Sequence, residues 1–261
     1  MIRYIRIYKA IFKINTAYML AYRASFINGI VSSLGWGAFQ IIWMTLLTNK
    51  ARTVFGWRQD EMIFLAMGYI VSLGIFHFFF SRNFDAFSRV IDKGEFDSHL
   101  LKPIDTQFSI STSILSYPNA IRIFVGIGLM IWWAALHHYQ IGIFEALNFG
   151  FLIIMGVMIM YSIWFLFITS LIWYPNLNNM VDFLYTLNGL SRYPAEMIRM
   201  SGKLILYIFI PLALTVATPI RALLHKSLFP DEFFLILICV TLLYLSRKFW
   251  KYSLKYYTSA S

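Results

Sequence analysis

From residue 146 to residue 173 the chain runs without one charged side chain. At about 1.5 Å per helical residue, that stretch exceeds the roughly 30 Å hydrocarbon core of a bilayer. Lipid offers no water to backbone N–H and C=O groups, so a run of this kind must be a helix that bonds its own backbone. Similar apolar runs lie at residues 24–48, 62–80, 120–136 and 233–245, and a further one at 204–220 is broken by Pro211 and Pro219. Of the 261 residues 59% are apolar and only 13% charged, too few polar side chains to coat a soluble domain. The pattern predicts an all-α membrane protein: one transmembrane domain over residues 1–261, with six transmembrane helices.

Residues 1–22 read differently. On helical angles Arg3, Arg6, Lys9 and Lys13 share one face, and Tyr4, Ile7, Tyr8, Ile11 and Ile14 share the other. This predicts a helix lying in the membrane interface with its cations toward lipid headgroups. The same cations interrupt any apolar stretch that could serve as a cleavable signal. The net charge of +10 does not point to nucleic acid, because the basic residues flank apolar spans, as do Arg247, Lys251 and Lys255 in the tail at 246–261. Six crossings place both termini and the polar stretch at 81–107 on the side richer in Lys and Arg. The positive-inside tendency makes that side cytoplasmic, in the cell's inner membrane. A rival drawing takes residues 176–191 as the fifth crossing. Residues 192–221 then dip in from outside as a re-entrant pair, with Pro194, Pro211 and Pro219 marking half-helices or a gate. The orientation is the same in both.

Several chemistries are disfavoured. Cys239 is the single cysteine, which rules out an internal disulfide or a cysteine metal cluster. His137 and His138 are neighbours, cannot share a helix face, and read as a loop. "SGKL" at 201–204 lacks the earlier glycine and the following Ser or Thr of a phosphate-binding loop. The chain is therefore not expected to be an enzyme or to bind a cofactor, and any ATP-driven motor must be external. No set of polar residues converges at one depth of the spans. Arg122 is the lone charge within one, close enough to an end to snorkel to the surface. An ion-driven carrier would need ionisable groups inside spans, for which only Asp182 and Glu196 offer themselves. A non-transporting assembly subunit is a third reading. Gly29, Gly35 and Gly37 would let another helix come close to the first span.

The polar stretch at 81–107 has its own pattern. Placed on a helix, Phe84, Phe87, Val90 and Ile91 fall on one side, and Arg82, Asp85, Arg89 and Asp92 on the other. Gly94 can end that helix in the left-handed conformation, residues 95–101 make a second short element, and Pro103 breaks the run. Such a segment either docks its apolar anchors in a partner's groove and carries the partner's movement into the bilayer, or rests on the membrane surface.

"GEFDSHLLKP" at 94–103 resembles the glycine–x–Phe–Asp–x–x–Leu–Leu–x–Pro signature of the type-2 ABC transporter permease family. "KFWKYSLKYYTSAS" at 248–261 is similar to that family's closing segment. "RYPAEMIRM" at 192–200, followed by "IPLALTVATPIRALL", is similar to its proline-marked region before the last span. The resemblance implies a six-span membrane subunit of an exporter without its own ATPase. Two such subunits, identical or paired with a related permease, would form the path, and separate ATPase subunits would hold ATP and Mg. The segment between the second and third spans would be the coupling element. Gly94, Glu95, Phe96, Asp97, Leu100, Leu101 and Pro103 would hold or shape it, preceded by Phe84, Phe87 and Ile91. The family pattern also favours the re-entrant drawing, from which the polar residues at 176–182 depart.

Overall fold

The computed structural model describes residues 2–49, 53–174, 177, 179–194, 196, 206–226 and 229–257. Pro175, Arg199, the 201–204 stretch, much of the proline-marked region at 192–205 and the last residues of the tail lie outside them. Among the described residues the protein is all-α, apart from one small hairpin. Its strands, β1 (Thr53–Val54) and β2 (Trp57–Arg58), pair antiparallel around Phe55 and Gly56, both at positive φ as a two-residue turn of this hand requires.

Helix α1 (Ile2–Ala21) stops at Tyr22, and α2 (Arg23–Thr48) follows as the first apolar span. Helix α3 (Gln59–Phe76) passes through a π-helical turn, His77–Ser81, into α4 (Arg82–Asp92). The whole rod, Gln59–Asp92, is 34 residues long. At about 51 Å it outruns the bilayer core, so one end must project. Short helices α5 (Asp97–Leu100) and α6 (Thr106–Thr112) lead to α7 (Tyr117–Leu136), which has proline in its first turn, where no N–H is missed. Helix α8 (Ile143–Thr169) ends in a 3-10 turn, and α9 (Met180–Asn188) continues as another, Gly189–Arg192. Helices α10 (Leu206–Leu223) and α11 (Phe229–Lys255) close the chain.

Among the described residues five helical segments are long and apolar enough to cross a membrane: Arg23–Thr48, Gln59–Asp92, Tyr117–Leu136, Ile143–Ile172 and Pro230–Lys255. The sixth expected crossing, at 204–220, is not of that kind among the described residues. There α10 contains Pro211 and Pro219, and its apolar part is the shorter Pro211–Leu223.

Helices α3 and α8 form the centre. Almost every residue of α3 from Met62 to Gly74 is buried, and α8 buries Leu152 to Thr169 on most of its circumference. Helices α2, α7 and α11 turn only part of their surface inward. They leave Val31, Ile42, Leu46, Phe124, Ile131, Val240 and Leu245 exposed, as helices facing lipid or a partner do. Close approach at the centre depends on glycine. A Cβ at Gly156 of α8 would fall onto the Thr215 carbonyl of α10 and lie 3.1 Å from its Cα. Of the three glycines expected to serve α2, Gly29 meets Pro118 of α7 and Gly37 touches Ile70 of α3, whereas Gly35 faces open space.

The two ends of the bundle are defined by polar contacts. At one end the Arg3 guanidinium donates to the Pro103 carbonyl (2.6 Å), and Asn15 bonds Ser113 and Leu115. There too Trp250 Nε1–H donates to Thr106 Oγ1 (3.2 Å). At the other end Lys226 pairs with Glu61, and Arg221 with Glu196 and Asp231. Helix α1 thus packs across residues 103–117 with Ile7, Tyr8 and Ile11 partly covered. Arg6, Lys9 and Lys13 point outward, and so does Ile14, which the helical wheel had assigned to the apolar face.

Candidate functional site

The polar stretch after the second span folds much as its pattern predicts, with one reversal. Gly94 lies at φ +68°. Its N–H bonds the Ile91 carbonyl (3.0 Å), and the Glu95 N–H bonds the Val90 carbonyl (3.0 Å). This is the paired closure that a left-handed glycine makes possible at a helix end. The apolar side of α4, however, is spent inside the chain. Phe84 is fully buried among Phe76, Phe80, Tyr161, Trp164 and Phe165, with ring centroids 5.8–6.4 Å away. Phe87 and Phe96 meet Trp250 edge-on at 5.9 and 6.0 Å, and Ile91 is buried beside them. These residues hold the segment onto α8 and α11. As folded they cannot also be anchors in a partner's groove, because another aromatic core already occupies the face that the groove would need.

What the segment presents is Asp92, Lys93, Glu95, Ser98, Leu101, Lys102 and Pro103. Leu101 is 85% exposed, a large apolar side chain standing on a polar rim. Asp97 and Leu100 are half-buried. The segment is bolted at its far side by Asp105, which caps α6 through the Phe108 N–H (3.0 Å) and pairs with Arg247 of α11. Burial alone would raise the Asp105 carboxyl. The Arg247 hydrogen bond, the Phe108 N–H and the Arg247 charge outweigh it and hold the group below the ordinary carboxylate range. Arg247 is therefore a structural cation, not one of a free basic stripe.

A second feature lies along the rod. A cavity of about 790 Å³ opens between α2, α3 with its π turn, the start of α7, and α9. Its α2 wall is Ser25, Asn28, Gly29, Ser32, Ser33, Trp36 and Gln40, a stripe of about 22 Å along the helix axis. Tyr69, His77, Ser81, Arg82 and Asp85 line the rod, Asn119 and Arg122 line α7, and Tyr185, Asn188 and Arg192 line α9 and its 3-10 turn. Arg122 is only 3% exposed and does not snorkel: its Nε and Nη2 are buried and reach no hydrogen-bond partner. Asn188 is 2% exposed, with both amide atoms unpartnered. Arg192 donates to Gln40 (3.2 Å), Tyr185 donates to Asp85 (3.1 Å), and the His77 and Tyr185 rings stack at 5.6 Å.

No convergence of polar groups was expected from the sequence, because none lies at one depth. The structure gathers them along one line instead. The signal was there: positions 25, 28, 29, 32, 33, 36 and 40 recur at helical spacing on one face.

At the opposite end from Leu101, Glu196 accepts from the Trp57 indole (3.3 Å) and pairs with Arg221, so residues 196 and 221 return to the same end. Tyr139 hydrogen-bonds Asp60, and its phenol is pushed up to about 12, first by burial and then by that carboxylate. Asp182 is exposed at the start of α9, and Glu196 is neutralised by Arg221, so neither is the buried free carboxylate that an ion-driven carrier would use. Among the described residues, no group of three or more His, Cys, Asp or Glu side chains could hold a metal ion. Pro194, Pro211 and Pro219 do not line the cavity.

No curated protein and no solved structure matches the chain. A family model described as ABC-2 family transporter protein matches residues 34–261, which takes in the rod with its bolted segment and the cavity lining from Trp36 onward, while Ser25, Asn28, Gly29, Ser32 and Ser33 of the α2 wall precede it. A helical membrane chain with a polar hollow through its spans and the 94–103 signature at one end of it belongs to the ABC-2 family of transporters.

Proposed function

We propose that the chain is the permease subunit of an ATP-driven exporter, working beside separate ATPase subunits that hold ATP and Mg. The observation that carries this reading is the polar cavity, which runs for about 22 Å along spans whose other faces are apolar. A closed single-chain structure would have no reason to bear the cost of such a hollow. Trp36, which lines the cavity, also begins an exposed aromatic ladder on α2, Trp36, Phe39 and Trp43, with rings 5.4 and 6.4 Å apart. A second permease, identical or related, against that ladder would complete the path. Export follows the family resemblance.

In this reading residues 92–103 are the coupling element, with Leu101 as the apolar knob and Glu95, Lys93 and Lys102 as its rim. Arg3 of α1 and Trp250 and Tyr257 near the close of the described chain share its end of the bundle, and the cations of α1 agree with a cytoplasmic placement in the inner membrane. The pairing of Glu196 with Arg221 at the end opposite Leu101 supports the re-entrant drawing, in which the chain between them enters and leaves from the outer side. In that drawing the stretch at 176–191, of which α9 and its 3-10 turn are the helical part described, is the fifth crossing and α11 the sixth.

The single cysteine gives a clean test. In a Cys239→Ser background, cysteine placed at Leu101 or Glu95 should cross-link to a co-expressed ATPase subunit, and cysteine at Trp36 to a second permease. Cysteine at Arg58, at the other end, should do neither. Cross-links to the ATPase from position 58 but not from 95 or 101 would overturn the orientation and the coupling role together.

A further inference from the structure

Resting on that reading, the geometry points to the substrate class: we infer that the cavity binds an amphiphile with an anionic head, the head at Arg122 and the tail in an adjoining slot. Among the described residues the polar cavity is lined by three arginines, Arg82, Arg122 and Arg192, against one carboxylate, Asp85, which already accepts from Tyr185. Arg122 has no carboxylate within ion-pair distance among the described residues, and its Nε and Nη2 are unsatisfied. An uncompensated guanidinium away from water costs several kcal/mol and is retained where something else supplies the counter-charge. Asn188, also buried and unpartnered on the facing wall, adds both a donor and an acceptor. Guanidinium and amide donors together suit phosphate or carboxylate oxygens.

The tail is argued from a second hollow of about 390 Å³ between α2, α3 and α7. Ala38, Ile41, Ile70, Val125 and Leu129 line it, and Arg122 is its single charged residue. Arg122 thus stands on the wall shared by a polar and an apolar space. A free anion would use the first space and leave the second empty, whereas an alkyl phosphate or carboxylate fills both.

The test uses the purified full-length subunit in neutral maltoside detergent, without any ATPase. Dodecyl phosphate, inorganic phosphate and dodecanol are titrated, and binding is followed calorimetrically and by the shift in melting temperature. Dodecyl phosphate should bind saturably and at least tenfold more tightly than inorganic phosphate, with dodecanol inert. Arg122→Gln should weaken dodecyl phosphate at least tenfold, and Arg122→Lys should restore part of the loss. Ala38→Phe, which fills the slot from an exposed position, should weaken dodecyl phosphate but leave inorganic phosphate unchanged. Should Arg122→Gln fail to fold, Asn188→Leu and Ala38→Phe carry the comparison.

Equal affinity for the two phosphates would overturn the amphiphile in favour of a free anion. Binding of neither would mean that water or a second subunit compensates Arg122, and the inference would fall. Lost anion binding alongside intact ATPase cross-linking defeats this inference alone. Intact anion binding with no ATPase partner defeats the permease reading instead.

Discussion

Replacing Phe84 with alanine separates two roles that the sequence leaves entangled. The ring is fully buried and has five aromatic neighbours with centroids 5.8–6.4 Å away. Removing a buried phenyl ring costs about 3–5 kcal/mol through lost transfer and the cavity left behind. A chain of this size loses roughly 2–4 °C of melting temperature per kcal/mol, so the expected drop is on the order of 10 °C. Leu101→Asp is the matched control. At 85% exposure its effect on the melt should stay within about 0.5 kcal/mol, while an apolar anchor in a partner's groove should cost more than tenfold in affinity. The assays are thermal melting of the isolated subunit in detergent and co-purification with the ATPase. Phe84→Ala should melt early yet, below its melting point, still bind the partner, and Leu101→Asp should do the reverse. If Phe84→Ala melted like the parent and lost the partner, the inward placement of the α4 apolar face would be refuted.

Gly94→Ala should destabilise the subunit by about 1 kcal/mol, because φ +68° disfavours any Cβ, and Gly94→Asn should cost less; denaturant titration would rank the two. Gly156→Ala forces a methyl group onto the Thr215 backbone and should cost about 1–3 kcal/mol in the same measurement, with no loss if α8 and α10 can part freely. Asp105 has a depressed carboxyl, so its contribution is present above the unfolded value near 4 and disappears as pH falls through the lower folded value. Melting curves between about pH 5 and 3 should therefore fall more steeply for the parent than for Asp105→Asn. The difference should stay at about 1 kcal/mol or less, since both partners are partly exposed.

The long apolar runs were legible because a bilayer admits few backbone solutions, and those at 24–48, 120–136 and 146–173 match helices to within three residues, whereas the runs at 62–80 and 233–245 belong to helical segments that continue to Asp92 and Lys255. Gly94 was legible because one backbone conformation favours one residue type. The fate of the α4 apolar face was not, since a stripe of Phe and Ile reads the same whether it meets a partner or the chain's own Trp164 and Trp250. Arg122 was misjudged for a similar reason. Five residues from the start of α7 leaves the side chain free to reach the surface, and only the packing of α2 and α3 around it shows that it does not. The cavity escaped because its polar residues come from four separate segments, and Asn188 and Arg192 belong to the stretch with the weakest span pattern.

On the proposed function, the placement of these contacts determines what can move. The coupling segment is not a free lever: Asp105 and Thr106 tie it to α11, Phe84 to α8, and α1 lies across it through Arg3 and Asn15. A push on Leu101 must therefore shift the inner ends of α4, α8 and α11 as one block. Two aromatic shells and several hydrogen bonds would have to break for the block to deform internally. Along the rod the hydrogen-bond register of the helix changes at the π turn His77–Ser81, the kind of place where a helix bends. That turn lines the cavity. It touches α9 through the stacked His77 and Tyr185 rings, while Tyr185 also holds Asp85 just below it. Movement of the block is thus relieved first where α9 meets the rod, at the wall of the polar hollow. In the proposed permease, an event at exposed Leu101 would alter the polar cavity without unfolding the core between them.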